Sequence, residues 1–265
     1  EYIKKAVAEA AMDDNNWKYS LRDLPELLDA VCIYYKKRFD VELTPDMVMT
    51  VYGSQEGMGH LGMALCDEGD TVLLPDPCYP VFAAGSLMAG AVPYYYPLVA
   101  EHDFLPYVKG IPEEIANKAK YMVVSLPSNP VGSIATPGLY EEIVEFAKKY
   151  DILIIHDNAY SELVFDGKSC GSFLQFPGAR EVGVEFNSLS KTYGLAGARI
   201  GFCVGNHEVV EKLKTLKSNM DYGMFLPIQK AAIEAITGDQ SCVAETRAAY
   251  EHRRDVLCDG LNGIG

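Results

Sequence analysis

The sequence predicts an α/β fold with a mostly parallel sheet of about seven strands, covered by helices on both faces. The main evidence is that short apolar, β-rich runs alternate along the chain with helical stretches, which is typical of such sheets. The composition agrees, since 49% of the 265 residues are hydrophobic and 23% are charged, as in ordinary globular proteins. No internal repeat or low-complexity tract interrupts the alternation, so one architecture is expected for the whole chain.

The first clear element is an amphipathic helix that begins at about Pro25, where apolar residues recur at helical spacing. Strands are predicted after it over residues 47–52, 71–74, 92–96, 121–126, 152–156, 182–187 and 199–204. Helices are predicted over residues 56–66, 81–89, 112–117, 137–149, 208–216, 226–236 and 241–257. Ligands of such sheets bind at the carboxyl ends of the strands, so the residues that follow each strand are the candidates for function.

Charge and cysteine content exclude several classes of protein. The formal net charge of −14 disfavours binding to nucleic acid or to anionic membrane surfaces, because both would repel the chain. The apolar runs are too short to cross a bilayer, and residues 1–20 contain no signal-peptide core. The seven cysteines are odd in number and lack CxxC spacing, and the five histidines lack metal-ligand spacing. We therefore predict a soluble cytoplasmic protein with reduced thiols and no metal site.

The first two strand ends carry residues that suit a phosphate and a planar ligand. Gly53, Ser54 and Gln55 follow the first strand and open a helix, whose free backbone amides attract phosphate. An ordinary strand-to-helix turn explains the same residues. Tyr79 follows the second strand among prolines and would suit a ring held against a planar ligand, or equally a packed core tyrosine.

The next two strand ends carry an amide and a carboxylate. Asn129 follows the strand at 121–126 and offers both a donor and an acceptor, although Asn-Pro is also ordinary turn chemistry. Asp157 follows the strand at 152–156, so its carboxylate is expected to be partly buried and to need a cationic partner, or else to cap a helix. The adjacent His156 is interpreted as a histidine satisfied at the end of its strand.

The most informative segment is residues 188–201, which reads S-L-S-K-T-Y-G-L-A-G-A-R-I-G. Lys191 follows an apolar strand and has small neighbours, so it is expected to be buried. Burial lowers the pKa of an amine and makes it a nucleophile or a base, as enzymes that form Schiff bases require. Arg199 lies eight residues further on and can present a planar guanidinium to a phosphate.

These motifs together resemble a known family. The signature S-x-S-K-T-x-G-x-x-G-x-R-x-G follows N-P-x-G and D-x-x-Y in the order found in fold type I pyridoxal-phosphate aminotransferases, the class I and II aspartate aminotransferase superfamily. The similarity runs from about Trp17 to the end and looks closest to the bacterial aspartate and LL-diaminopimelate aminotransferase-like branch. It implies a three-layer α/β/α sandwich, pyridoxal 5'-phosphate as cofactor, an amino acid and a 2-oxo acid as substrates, and a homodimer.

The resemblance also implies roles for the residues at the strand ends. Lys191 would form the Schiff base with the cofactor and shuttle a proton at the substrate Cα. Asp157 would pair with the pyridine nitrogen and keep it protonated. Tyr160 and Asn129 would hydrogen-bond the phenolate oxygen of the ring, and Tyr79 would stack on its face.

A further group of residues would hold the phosphate of the cofactor. By the resemblance, these are Ser54, Gln55, Ser188, Ser190 and Arg199. Tyr19 matches the position from which family members reach the phosphate of the neighbouring subunit, although its surroundings depart from the usual pattern. Many relatives have cis peptide bonds at the positions of Asp76–Pro77 and Asn129–Pro130, and the same is expected here.

The chain also differs from the full family pattern. It begins at Glu1 instead of Met, and the resemblance places the arginine that binds the substrate α-carboxylate beyond the last residue. We therefore expect an N-terminal remnant over residues 1–23, a large cofactor-binding domain over 24–240, and a helix over 241–265 that leads into a small domain. These residues alone are expected to transaminate slowly or not at all.

Other functions share part of this pattern. A C–S β-lyase of the same fold would use the same cofactor residues, and the chain could also be a non-catalytic fragment that binds pyridoxal phosphate. A nucleotide-binding doubly wound protein is disfavoured, because the glycine fingerprint of that class is absent.

Overall fold

The computed structural model describes all 265 residues and contains one seven-stranded sheet. Its strands are β1 (Val48–Val51), β2 (Thr71–Asp76), β3 (Val92–Pro97), β4 (Ala119–Ser125), β5 (Leu153–Asp157), β6 (Gly183–Ser188) and β7 (Gly201–Gly205). Their spatial order is β1-β7-β6-β5-β4-β2-β3. Strand β7 is antiparallel to both of its neighbours, and all other pairs are parallel. The predicted mostly parallel sheet is confirmed.

Eleven α-helices surround the sheet. They are α1 (Tyr2–Ala11), α2 (Pro25–Phe39), α3 (Ser54–Leu65), α4 (Val81–Met88), α5 (Glu113–Ala116), α6 (Leu139–Tyr150), α7 (Ala179–Val182), α8 (Leu189–Thr192), α9 (His207–Met220), α10 (Leu226–Thr237) and α11 (Ser241–Asn262). The sequence pattern does not predict α7 or α8, because each is a single turn of four residues. None of these helices is long and apolar enough to span a bilayer.

The two faces of the sheet bury separate apolar cores. The larger core contains 40 buried residues and includes Val31 of α2, Ile143 of α6 and Ala232 of α10. The smaller core contains 18 buried residues and includes Leu61 of α3 and Leu213 of α9. Because helices cover both cores, the fold is the three-layer α/β/α sandwich that the resemblance implied.

Helices α3 and α4 cross on the side of the smaller core through two glycines. A Cβ atom at Gly62 of α3 would overlap the backbone carbonyl oxygen of Gly85 in α4. This close approach matters for the site, since α3 begins at Ser54 and α4 follows Tyr79 by two residues. The glycine contact therefore fixes two segments at the carboxyl edge of the sheet relative to each other.

We predict that Gly62→Ala destabilises the chain by about 1–3 kcal/mol, because the new methyl group must separate two packed backbones. Gly59→Ala is the matched control in the same helix, where the nearest atom to a new Cβ is the Val81 Cγ2 at 3.8 Å. That variant is expected to be neutral or to stabilise by about 0.5–1 kcal/mol, as alanine in a helix does. Urea unfolding measures both values, and equal effects of the two substitutions would contradict the packing described here.

Candidate functional site

The candidate site is a cavity of about 280 Å³ at the carboxyl edge of the parallel strands. It brings together ten of the eleven residues that the sequence analysis singled out for the cofactor. These are Ser54, Gln55, Tyr79, Asn129, Asp157, Tyr160, Ser188, Ser190, Lys191 and Arg199. They come from the last residues of β5 and β6, from the segments that follow β1, β2, β4, β5 and β6, and from the residues before β7.

Asp157 is the last residue of β5 and is only 8% exposed. Burial raises the pKa of its carboxyl group to about 6, although the nearby His156 and a hydrogen bond from the Ala159 backbone amide act in the opposite direction. The Asp157 Oδ1 atom is buried without a hydrogen-bond partner. A buried carboxylate in that condition is unfavourable unless a cationic donor pairs with it. The protonated nitrogen of a pyridine ring is such a donor.

A buried network lies behind Asp157. His156 is fully buried, and its Nε2 and Nδ1 atoms lie 2.9 Å from the Tyr140 hydroxyl and the Glu185 carboxylate respectively. Glu185 receives hydrogen bonds from His156 Nδ1, Tyr35 Oη, Ser172 Oγ and the Phe173 amide. Burial alone would raise the pKa of Glu185, but the bonds from His156 and Ser172 hold it below its usual value. His156 is therefore a satisfied strand-end histidine, as interpreted from the sequence.

Lys191 lies in the cavity but is exposed, so the expectation of a buried lysine is wrong. The reason is local: β6 ends at Ser188, and the one-turn helix α8 then carries Lys191 out of the apolar layer. The Ser188 hydroxyl caps this helix by accepting a hydrogen bond from the Ser190 amide at 3.2 Å. The Lys191 Nζ atom lies 5.6 Å from the centre of the Tyr160 ring.

Four polar side chains form another wall of the cavity, namely Tyr160, Asn129, Tyr79 and Gln55. Tyr160 is half-buried and lines the cavity together with Asn129. Burial, together with the nearby Asp157 and Tyr79, raises the pKa of Tyr160 above its usual value, so the hydroxyl stays protonated as a donor. The Tyr79 hydroxyl donates a hydrogen bond to Gln55 Oε1 at 3.3 Å.

The turns that carry these side chains contain cis peptide bonds. Asp76–Pro77 and Asn129–Pro130 are both cis, as the resemblance implied. Leu126–Pro127 is cis as well, which the sequence analysis did not anticipate.

The start of α3 and Arg199 form the cationic end of the cavity. Gly53 precedes the helix with a φ of +75°, and the Arg199 Nη2 atom lies 2.6 Å from the position that a Gly53 Cβ would occupy. Any other residue at position 53 would therefore displace the guanidinium. Arg199 also donates hydrogen bonds of 3.0 Å to the carbonyl oxygens of Tyr52 and Ala196. Free helix amides beside a fixed guanidinium suit a phosphate group.

Tyr19 is the one predicted site residue that does not line the cavity. Its side chain is 81% exposed, and its ring packs 5.6 Å from the ring of Tyr222. A larger cavity of about 580 Å³ lies beside Tyr222, between Arg22 and Lys214, but contains none of the predicted residues.

Sequence analysis missed the apolar part of the lining. These residues are Met58, Val81, Phe82, Ala159 and Ala196. Their only signal is proximity to a strand end, which does not distinguish them from core residues.

Comparison with known proteins shows which family the chain belongs to. Residues 1–265 match the family of class I and II aminotransferases. LL-diaminopimelate aminotransferase of Moorella thermoacetica is 44% identical over 264 residues, which cover 99% of this chain and 68% of that protein. The glutamate-pyruvate aminotransferase AlaC of Escherichia coli is 42% identical over 264 residues, 99% of this chain and 64% of that protein.

A solved structure gives the same result for the fold. Substrate-bound BacF from Bacillus subtilis superimposes with a TM-score of 0.94 at 34% sequence identity, over 98% of this chain and 67% of that one. The unpartnered oxygen of Asp157, the amine of Lys191 and the cationic end near Arg199 fit the ring nitrogen, aldehyde and phosphate of pyridoxal phosphate. The chain belongs to the class I and II aminotransferases, which use pyridoxal phosphate to transfer an amino group between an amino acid and a 2-oxo acid.

Proposed function

We propose that this cavity holds pyridoxal phosphate through Asp157, Arg199 and the start of α3, and that Lys191 moves the proton when an amino group passes between an amino acid and a 2-oxo acid. The observation that carries the proposal is the buried, unpartnered Oδ1 of Asp157 in the same cavity as the Lys191 amine. When bound, pyridoxal phosphate supplies an aldehyde that forms an imine with an amine and a protonated ring that stabilises negative charge at the adjacent carbon.

Lys191 supplies the amine that binds the aldehyde of the cofactor. Once a substrate amine has taken its place, the free Lys191 amine serves as the base. Its side chain is exposed to the cavity, and α8 fixes its backbone at the edge of the sheet. The Nζ atom can therefore accept the proton of the substrate Cα and deliver it to the C4′ carbon of the cofactor without leaving the cavity.

Asp157 supplies the anion for the ring nitrogen. Its carboxylate is costly to ionise in the cofactor-free chain, which is why burial raises its pKa. A cationic N–H donor at Oδ1 removes this cost, and the buried pair then keeps the nitrogen protonated.

The remaining polar side chains orient the ring and the phosphate. Tyr160 and Asn129 donate to the phenolate oxygen, and Tyr79 covers one face of the ring. The phosphate is held by five groups, which are the Ser54 and Gln55 amides, the Ser188 and Ser190 hydroxyls and the Arg199 guanidinium. All of these residues line the one cavity.

A second copy of the chain is proposed to complete the site as a homodimer. Four exposed aromatic side chains support this arrangement, namely Trp17, Tyr19, Tyr222 and Phe225. They form two ring pairs, Trp17 with Phe225 at 5.2 Å and Tyr19 with Tyr222 at 5.6 Å. Tyr19 would reach the phosphate in the partner's cavity.

We propose that residues 24–240 form the cofactor-binding domain, with residues 1–23 before it and residues 241–265 after it. Helix α1 packs against α10 and thereby joins the first segment to this domain. All seven cysteines are free thiols, which supports a reducing, cytoplasmic location.

The relatives' names support two kinds of amino-group donor. The relative that is 44% identical is named for LL-diaminopimelate, and the relative that is 42% identical is named for glutamate and pyruvate. Amino-donor profiling of the full-length gene product separates them, with cofactor absorbance followed in each half-reaction. Release of pyruvate from cystathionine without an added 2-oxo acid would instead indicate the C–S β-lyase.

Lys191→Ala is expected to abolish the covalent adduct that borohydride fixes between pyridoxal phosphate and the chain, because no other amine lies in the cavity. Peptide mass spectrometry locates the adduct. Lys212→Ala is the control, since Lys212 is an exposed lysine on α9 outside the cavity. An adduct of normal yield in Lys191→Ala would refute the assignment.

Asp157→Asn is expected to stabilise the cofactor-free chain in a pH-dependent manner. Folding raises the pKa of Asp157 from 3.8 to about 6. Below pH 3.8 the carboxyl group is protonated in both the folded and the unfolded chain, so it does not affect the free energy of unfolding. Above pH 6 it is ionised in both, and the folded chain is destabilised by the full cost of the buried charge. At roughly 1.36 kcal/mol per pKa unit, the gain is about 3 kcal/mol near pH 8 and disappears near pH 4. Urea unfolding at the two pH values measures it. A difference independent of pH would contradict the buried carboxylate, and the variant should also lose most of the stabilisation that pyridoxal phosphate gives.

Arg199→Gln is expected to weaken pyridoxal phosphate binding roughly 10- to 100-fold, the loss typical of a hydrogen bond to a charged group. Pyridoxal without its phosphate is the control ligand and should bind both proteins equally. If the variant weakens both ligands by the same factor, Arg199 does not hold the phosphate.

A further inference from the structure

The loop that carries Tyr160 is long and irregular, yet it is held by one face of α11. The loop spans residues 158–172, between β5 and a short 3₁₀ turn. Arg247, Glu251 and Arg254 of α11 contact it, and their spacing of four and three residues places them on the same side of the helix. No residue of α11 lines the cavity itself.

The first contact is at Glu162, which is only 5% exposed. Arg247 donates from Nη2 to Glu162 Oε2 at 3.0 Å and from Nε to the Glu162 carbonyl oxygen at 2.9 Å. Arg38 of α2 donates to Oε1 of the same carboxylate. Two helices therefore hold both the side chain and the backbone of this one residue.

The second contact is at Asp166, four residues further along the loop. Arg254 makes two hydrogen bonds of 2.8 Å to its carboxylate, and Glu251 accepts a hydrogen bond of 2.6 Å from its backbone amide. The Arg254 guanidinium also lies 5.2 Å from the centre of the Phe165 ring. Paired, planar contacts of this kind fix orientation as well as distance.

Glu162 is linked to Tyr160 by a short rigid path. The Leu163 amide donates to the Tyr160 carbonyl oxygen at 2.9 Å, so Glu162 lies inside a closed turn with Tyr160 as its first residue. This turn connects the backbone of Glu162 directly to that of Tyr160.

Helix α11 contributes little else to the fold. Val243 is its only buried residue, so the turns after it are held mainly by the contacts with the loop. An arrangement that serves only to bury apolar surface would place apolar side chains on this face of the helix. Here the face is charged and complementary to the loop.

We propose that Glu162 and Arg247 are positioning residues for Tyr160, so that the orientation of α11 sets the place of the Tyr160 hydroxyl. This inference rests on the proposed function, because it uses the contact between Tyr160 and the phenolate oxygen of the cofactor. The contact between Glu162 and Arg247 adds no group to the cavity. It fixes the loop that carries the Tyr160 hydroxyl.

The experiment compares Arg247→Gln with Arg253→Gln, using the chain as it is. Arg253 is an exposed arginine of the same helix that lies over the Tyr250 ring and does not contact the loop, which makes it the matched control. In the cofactor-free chain, hydrogen exchange of residues 158–172 should become roughly tenfold faster in Arg247→Gln and stay unchanged in Arg253→Gln. Equal exchange in the two variants would overturn the proposal.

A second measurement reports on Tyr160 directly. In the chain loaded with pyridoxal phosphate, Tyr160→Phe should move the pH midpoint of the visible absorbance upward. Without the donor from Tyr160, the phenolate oxygen carries more negative charge, which raises the pKa of the neighbouring nitrogen that Lys191 contributes. Arg247→Gln should move it in the same direction by about half a pH unit, and Arg247→Lys by less. The double variant Tyr160→Phe with Arg247→Gln should match Tyr160→Phe alone.

The outcomes separate the two claims. Additive shifts in the double variant would show that Arg247 acts independently of Tyr160 and would overturn the positioning role. An unchanged midpoint in Tyr160→Phe would instead refute the proposed contact between Tyr160 and the cofactor, and with it the positioning claim. In that case the hydrogen-exchange result still decides whether α11 holds the loop.

Discussion

The buried carboxylate of Asp157 is the constraint on which the site depends. It stands at the end of β5, between the central strands β4 and β6, and pairs in register with Ser125 and Phe186. An ionised carboxylate in this position is unfavourable, which is why its pKa is raised to about 6. A cofactor with a cationic ring nitrogen relieves that cost. The same carboxylate that destabilises the cofactor-free fold therefore contributes to the affinity for the cofactor.

Two layers of contacts support the groups that face the cavity. Behind Asp157, the carboxylate of Glu185 accepts hydrogen bonds from Tyr35 and Ser172 and fixes the neighbouring His156. Beside Tyr160, Glu162 is held by arginines from two different helices. The polar groups of the cavity therefore lie at strand ends, at helix starts and in turns, and rigid elements fix them, as precise chemistry requires.

The sequence was sufficient to predict much of this arrangement. Parallel strands place their carboxyl ends at one edge, so polar residues after successive strands had to converge, and ten of the eleven candidates do. Each residue alone had an ordinary explanation, as Asn129 or Tyr79 show. Only their order along the chain, together with the segment around Lys191, distinguished a cofactor site from a set of turns.

What the sequence could not predict depends on short elements and distant contacts. Lys191 is exposed because one four-residue helix redirects the chain, and a single turn has no periodicity to detect. The bonds of Glu185 to Tyr35 and of Glu162 to Arg247 join residues 150 and 85 positions apart. Those pairs carry no local signal.

The central claim is tested most directly by ¹⁵N NMR of pyridoxal phosphate labelled at its ring nitrogen and bound to the chain, between about pH 6 and pH 9. The account predicts a protonated nitrogen throughout this range, lost on Asp157→Asn, whereas a deprotonated nitrogen in the unmodified chain would contradict it.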